Sequence, residues 1–186
     1  MPLDADLYDR DVKDNTETTL VRAALKGDAE RFGSLCERYY SAMVAIAYSR
    51  LGDRDLAEDA GQEAFFVAFR NISKLKEQRH FSRWVAGICR NIASDMAKAR
   101  IRDKALAIAD CEPRSKNESK EADNVQIVRS IIAELPVKMR EIVFLRYNSQ
   151  MSYQQIADVL GISQEAVNGR LRRARKTIAR QLRRRA

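Results

Sequence analysis

The residues best placed for chemistry lie at the C-terminal end of the chain, where nine Lys or Arg residues and no Asp or Glu follow Val167. Arginine donates paired hydrogen bonds to guanine, asparagine pairs with adenine, and any basic side chain neutralises phosphate. On a helix that buries Val167 and Leu171, the side chains of Asn168, Arg172 and Arg173 point outward. The pattern therefore favours recognition of DNA.

Such a helix needs a second element to hold it against DNA, and the signals for that element come directly before it. Ser152 and Gln155 fit a capping box that begins one helix, and Gly161 suits the tight turn that ends it. Ser163 then caps the cationic helix. In a helix-turn-helix the second helix enters the major groove while basic residues bind phosphates. A solvated helical hairpin is the alternative, but no acid after Val167 balances this charge.

A second group of side chains, in the N-terminal half, is acidic. Five acids and one base lie between Asp53 and Glu63, and helical spacing places most of them opposite an apolar stripe of Leu56, Ala60, Ala64 and Val67. Paired carboxylates can bind a divalent cation, but no other residues complete such a site. A solvated face is one alternative, and a docking surface for a protein partner is the other. The residues concerned are Asp55, Glu58, Asp59, Gln62 and Glu63.

The sequence offers no pattern for catalysis or metal binding. Cys36, Cys89 and Cys111 are odd in number and widely separated, and His80 is the only histidine. These residues give neither paired zinc ligands nor a nucleophile with its base. We expect buried or incidental thiols, no catalytic residue, no metal and no cofactor.

Composition and charge set the class of protein. The chain of 186 residues is 45% hydrophobic and 32% charged, with seven Gly and three Pro, which is typical of a soluble all-α protein. A net charge of +8 favours nucleic acid over an anionic membrane, because no apolar run approaches the roughly 20 residues of a spanning helix. The acidic N-terminus is unlike a secretory signal. We expect a cytoplasmic protein without membrane insertion.

The chain divides into two helical segments. Helical periodicity runs from Thr18 to about Arg100, with Gly27 and Gly52 as breaks between helices. It fades in a polar, Pro-containing stretch and resumes after it, where Pro136 suits the first position of a helix. We expect an N-terminal extension (1–17), a helical bundle (18–102), a flexible linker (103–123) and a helix-turn-helix domain (124–186).

Five segments together resemble the extracytoplasmic-function (ECF) sigma factors of bacteria: "LVRAALKGDAERFGSLCERYY", "LGDRDLAEDAGQEAFFVAF", "FSRWVAGICRNIASD", "ELPVKMREIVFLRY" and "MSYQQIADVLGISQEAVNGRLRRAR". The resemblance covers nearly all of Thr18 to Arg175 and implies an alternative sigma factor that carries out no covalent chemistry. In this family region 2, the N-terminal domain, binds the clamp helices of core RNA polymerase and melts the −10 promoter element. Region 4 reads the −35 element and contacts the polymerase flap. An anti-sigma factor is a further partner to expect.

The resemblance also implies roles for single residues. The acidic helix becomes the clamp-binding element, the loop from Ser73 to His80 captures a base flipped from the non-template strand, and Asn91 helps to read that base. Phe81 and Trp84 fix this loop, while basic side chains stabilise the separated phosphates. The residues implied at the −10 element are Lys76, Arg79, His80, Arg83, Trp84, Arg90, Asn91, Asp95, Lys98, Arg100 and Arg102. Those implied at the −35 element are Tyr153, Gln164, Asn168, Arg170, Arg172, Arg173, Arg175 and Lys176.

Three residues depart from the family pattern. Glu77 stands where many members have Gly, and Gly169 replaces a small hydroxyl residue. Gly61 replaces an aliphatic residue. A glycine inside a helix makes the helix less stable by roughly 1 kcal/mol than an alanine would, so we expect glycine here only if close packing requires it. The promoter sequence that this protein recognises therefore cannot be transferred from other members of the family.

Two other functions stay open at this stage. A transcription regulator that works without polymerase would leave the acidic helix and the base-capture loop without a role. A nucleic-acid-processing enzyme would need a catalytic set of residues that the sequence does not offer.

Overall fold

Helices make up all the regular secondary structure in the residues that the computed structural model describes, 16–107 and 120–185, with side chains described for 16–103 and 126–185. Nearly all of the predicted extension, the central part of the predicted linker and Cys111 lie outside these residues. The all-α fold is confirmed. The helices are α1 (Glu17–Leu25), α2 (Ala29–Leu51), α3 (Arg54–Arg70), α4 (Phe81–Ala107), α5 (Lys120–Ala133), α6 (Val137–Tyr147), α7 (Tyr153–Leu160) and α8 (Gln164–Arg185).

Short polar side chains and a glycine set the helix ends in the N-terminal half. Thr16, Asp28 and Asp53 each accept a hydrogen bond from the backbone N–H three residues on, at the starts of α1, α2 and α3. Gly52 takes the left-handed conformation (φ 63°) after α2, as expected of a helix stop. Pro136 was expected at the first position of a helix but lies one residue before it. Its ψ of 138° is extended, and α6 begins at the next residue.

Helices α1 to α4 enclose the first apolar core, and α3 packs on α2 through small residues. Leu56 and Val67, expected in the apolar stripe of α3, are only partly buried. A Cβ on Gly61 would lie 3.4 Å from Cγ2 of Val44, an ordinary van der Waals distance, so close packing does not demand glycine there. The buried face of α3 consists of Ala57, Ala60, Gly61, Ala64, Phe65 and Ala68.

Helices α6, α7 and α8 form a second apolar core, with α5 packed on α8. The apolar pattern of α5 and α6 predicts burial of Val128 and Met139, but Met139 is only partly buried and Val128 is 36% exposed. The largest fully buried side chains are Ile131, Ile142, Leu145, Ile156 and Leu171.

The two helical groups contact each other directly, since α6 packs on α2 and α7 packs on α4. The rings of Tyr48 and Phe144 meet edge to face, with centroids 5.0 Å apart, and Ser149 Oγ donates a hydrogen bond to the Ser41 carbonyl (2.8 Å). The expectation of two domains on a flexible linker included no such contact. None of the described helices is long and apolar enough to cross a membrane.

Candidate nucleic-acid interface

The helix-turn-helix forms as the sequence predicts. Ser152 and Gln155 complete a reciprocal capping box at the start of α7, and Gly161 ends that helix in the left-handed conformation (φ 65°). Ser163 Oγ accepts a hydrogen bond from the backbone N–H of Ala166 (3.2 Å) at the start of α8. These local bonds fix the turn and hold α8 against α7.

The outward face of α8 carries most of the predicted −35 residues. Arg170 is partly buried, and the Gln164 side chain donates a hydrogen bond to that of Gln154. Within the described part of the chain, Arg185 is the α8 residue that forms an ion pair, with Glu134. The exposed members of the predicted set are Gln164, Asn168, Arg172, Arg173, Arg175 and Lys176. This face is therefore strongly cationic and largely unneutralised.

Two tyrosines hold basic side chains beside this face, and only Tyr153 was among the predicted residues. Arg175 Nε donates a hydrogen bond to the Tyr147 hydroxyl (2.8 Å), and its guanidinium carbon lies 5.9 Å from the centre of that ring. This hydrogen bond is the main reason why the pKa of Arg175 is raised. The guanidinium carbon of Arg146 lies 5.5 Å from the ring centre of Tyr153. Tyr147 is 56% exposed, and its aromatic type at the end of α6 was the signal available in the sequence.

The loop predicted to capture a base consists of two 3-10 turns, Ile72–Lys74 and Gln78–His80, ahead of α4. Glu77, which departs from the family pattern, lies between them. Its carboxylate is 3.0 Å from Arg79 Nη2 and 3.3 Å from His80 Nδ1. The acid therefore partly neutralises Arg79 and contacts His80, both predicted to bind DNA.

Helix α4 carries the remaining predicted −10 residues, and several of them have acidic partners. Lys98 Nζ lies 3.0 Å from an Asp95 oxygen, and Arg100 Nη1 lies 3.4 Å from an Asp53 oxygen. Trp84 is partly buried and packs near the fully buried Phe81 ring, with centroids 6.1 Å apart. The exposed predicted residues of the preceding loop and of α4 are Lys76, Arg79, Arg83, Asn91, Asp95, Lys98, Arg100 and Arg102.

Two of the predicted −10 arginines face the C-terminal helices. Arg90 Nε donates to Glu141 Oε1 (2.7 Å), and Glu141, on α6, is 5% exposed. Arg83 is exposed, but its guanidinium lies so close to Gly161 that a Cβ there would collide with it. Glu141 was not predicted from the sequence, where its position next to Ile142 and Val143 on α6 was the available signal.

The acidic helix α3 presents a mixed acidic and aromatic surface. Glu58 is partly buried and accepts a hydrogen bond from Arg54 Nε (2.8 Å). Phe66 and Phe69 are 55% and 47% exposed on the same helix, although no role had been assigned to them. The exposed polar residues of the predicted clamp-binding set are Asp55, Asp59, Gln62 and Glu63.

An open apolar groove of about 360 Å³ lies between α5, α6 and α8. No residues had been predicted for contact with the polymerase flap, and this groove was not recognised from the sequence. Its apolar lining includes Ile132, Val143, Phe144, Ile178 and Leu182.

The structure describes the side chains of two cysteines, of which Cys89 is buried and Cys36 is partly buried. Burial raises the pKa of Cys89 to about 12 and that of Cys36 to about 11, so both thiols are protonated at neutral pH. The Cys89 thiol donates to the Met43 carbonyl (3.3 Å). No group of three or more His, Cys, Asp or Glu residues in the described part of the chain is arranged to hold a metal ion.

Comparison with known proteins relates both helical groups to one family. The family model for sigma-70 region 2 matches residues 35–104, and the model for sigma-70 region 4 matches residues 126–178. The chain is 28% identical to the ECF RNA polymerase sigma factor SigW of Bacillus subtilis, over 88% of this chain and 95% of that protein.

Two further relatives agree with this assignment. RfaY, a probable RNA polymerase sigma factor of Xanthomonas campestris pv. campestris, is 30% identical over 86% of this chain, which spans only 42% of its length. Among solved structures, CnrH in complex with the cytosolic domain of CnrY aligns with a TM-score of 0.62 and 25% identity, covering 89% of this chain and 96% of that one. With both regions matched in order on one chain, the protein belongs to the sigma-70 family as an alternative sigma factor of the ECF type, the class that directs RNA polymerase to promoters.

Proposed function

We propose that this chain docks on core RNA polymerase through α3, reads the −35 element through α8 and helps to melt the −10 element through α4. The observation that carries the proposal is that one chain combines an exposed acidic and aromatic helix with a largely unneutralised cationic recognition helix. A regulator that acts without polymerase has no use for the first surface. The relatives are sigma factors rather than enzymes.

The docking surface on α3 is proposed to bind the clamp helices of the polymerase. Asp59 and Glu63 are exposed one turn apart, and Phe66 and Phe69 continue the surface toward the end of the helix. Aromatic side chains supply contact area at an interface, while the carboxylates steer and orient a basic partner. This combination fits a protein partner better than a solvated face.

The −35 element is proposed to be read from α8. Asn168, Arg172 and Arg173 extend from the exposed face with groups that match base edges in the major groove. Arg175 and Lys176 flank these residues and are assigned to phosphates, which fix the register of the helix on DNA.

The −10 element is proposed to be melted along α4 and the preceding loop. Asn91 is exposed on α4, where its amide can hydrogen-bond to a base that has left the stack. Lys98 and Arg102 extend the same helix with charge for the separated phosphates.

Other partners follow from the same function. The apolar groove beside Phe144 is proposed to receive the polymerase flap, because an open apolar groove buries a partner helix well. CnrH is found in complex with the cytosolic domain of CnrY, and we propose that this chain too binds a protein partner, an anti-sigma factor that restrains it. Its place of action is the cytoplasm, where the polymerase and the chromosome are.

The test of the whole proposal is run-off transcription with purified core polymerase on genomic promoter fragments. We expect discrete transcripts that depend on the added protein. Binding to DNA without transcripts would favour the polymerase-independent regulator, and metal-dependent turnover of nucleic acid would favour the enzyme.

The docking assignment has its own test. Reversing the charge at Asp59 and Glu63 should weaken core-polymerase binding in a fluorescence titration, while circular dichroism shows an intact fold. Reversal at Glu37, an exposed acid on α2, is the matched control and should leave the affinity unchanged. Equal affinities for all variants would contradict docking through α3.

A further inference from the structure

The interface between the two helical groups contains a buried carboxylate shared by two arginines. Glu141 on α6 is 5% exposed. Its Oε1 accepts a hydrogen bond from Arg90 Nε on α4 (2.7 Å), and its Oε2 lies 3.6 Å from Arg50 Nη2 on α2. One acid of the C-terminal group therefore holds two basic residues of the N-terminal group.

The surroundings of Glu141 are rich in positive charge. Arg140, next to it, donates from Nε to the Ser49 carbonyl at the end of α2 (2.8 Å). Burial, and after it the charge of Arg50, lowers the pKa of the Arg140 guanidinium. Two arginines thus share one carboxylate, with the charge of a third nearby, and removal of that carboxylate would leave like charges facing one another in a low dielectric.

The contact between Arg90 and Glu141 resembles a contact between an arginine and a DNA phosphate. A carboxylate and a phosphate are both anions that accept charge-assisted hydrogen bonds from arginine. Arg90 is one of the residues assigned to the −10 element, and only 25% of its side chain is exposed while Glu141 holds it.

We propose that Glu141 is an internal substitute for a DNA phosphate, which keeps Arg90 occupied and the two DNA-binding domains closed on each other in the free protein. This inference rests on the proposed function, because it takes α4 as the −10 surface. In the closed state the C-terminal domain competes with single-stranded DNA for the same arginine.

The closed state cannot span a promoter. The −10 and −35 elements lie about 25 base pairs apart, which is about 85 Å at 3.4 Å per base pair, whereas Arg90 and Glu141 are in direct contact. Both domains can reach their elements only after this contact breaks. Asp59 and Glu63 on α3 stay exposed in the closed state, so the closed protein can still dock on polymerase before its domains open.

The test compares Glu141→Gln with Glu134→Gln in the full chain without polymerase. Glu134 pairs with Arg185 inside the C-terminal domain, so its substitution removes the same charge without touching the interface. Small-angle scattering reports the radius of gyration, and fluorescence anisotropy reports affinity for a single-stranded oligonucleotide of −10 sequence.

We expect Glu141→Gln to increase the radius of gyration and to tighten single-strand binding roughly tenfold, a usual size for coupling between sites. The slope of log affinity against log salt should steepen by about 0.7 for one added phosphate contact. Glu134→Gln should match the parent in both measurements.

Unchanged size and affinity would overturn the proposal, and so would tighter binding without expansion or expansion without tighter binding. If Glu141→Gln fails to fold, Ser149→Ala removes another hydrogen bond between the two helical groups and should produce a smaller expansion with tighter binding. If the parent protein is active in run-off transcription and the variants match it in radius of gyration and single-strand affinity, the proposed role of Glu141 is rejected and the proposed function stands. An inactive parent would reject the proposed function.

Discussion

Helices α8 and α4 both carry a series of basic residues, but their charges are in different states. On α8, Arg172, Arg173 and Lys176 are exposed, and within the described part of the chain they have no acidic partner. On α4, Arg90 and Lys98 are each paired with an acid.

The difference predicts two kinds of DNA contact. An unpaired cation gains counterion release as soon as phosphate approaches, so α8 is ready to bind duplex DNA. A paired cation must first exchange its acid for a phosphate, which reduces the net gain and makes binding conditional. The −35 contact should therefore form early, and the −10 contact should follow the opening of the domains.

The largest expected effect concerns base reading by α8. Arg172→Ala or Arg173→Ala should weaken binding to −35 duplex by roughly 1–3 kcal/mol and relax the preference at one base pair. Lys176→Ala is the comparison variant, which should weaken all sequences alike and reduce the salt slope by about 1. Competition binding over single-base promoter variants at several salt concentrations measures both. Uniform weakening by both arginine variants would show that these arginines only bind phosphate.

The next effect belongs to α4. Asn91→Ala should impair promoter opening by about 1 kcal/mol, the usual net value of one hydrogen bond, because its contact exists only after a base is unstacked. Permanganate footprinting measures opening, and a mobility shift with the same holoenzyme measures formation of the closed complex. Equal opening by variant and parent would argue against base capture.

A gain of affinity is expected from Glu77→Gln, which frees Arg79 and His80. Single-strand binding should tighten by up to about 1 kcal/mol, the range of exposed ion pairs, and the gain should fade at high salt. Glu37→Gln removes the same charge from α2 and should have no such effect. If both variants gain equally, net charge rather than the local pair explains the result.

The smallest expected effect is that of substituting Tyr147, which contacts Arg175 on α8. Tyr147→Phe keeps the ring near Arg175 but removes the 2.8 Å hydrogen bond, so −35 affinity should fall by about 0.5 kcal/mol for all sequences. Tyr147→Ala also loses the cation–π contact and should cost more. Anisotropy titrations at fixed salt compare the three proteins, and identical affinities would mean that Arg175 needs no positioning.

The helix-turn-helix could be predicted from the sequence because its determinants are local. Ser152, Gln155 and Gly161 act on residues within one or two turns of themselves, and the spacing of Val167 and Leu171 repeats with the helical period. The pair of Glu77 and Arg79 is also local and could have been recognised. Leu56 packs against the core as expected, whereas Val67 is only partly buried, because side-chain volume on α2 decides which face of α3 fits against it.

Only the tertiary structure decided which charges are free to act. Arg90 and Glu141 are separated by 51 residues, and in the sequence each resembles an ordinary polar residue on an amphipathic helix. Helical periodicity determines which face of a helix is apolar, but it does not determine which other helix covers the polar face. Coulomb energy depends on distance and local dielectric, and both are set by the packing of α6 on α2 and of α7 on α4.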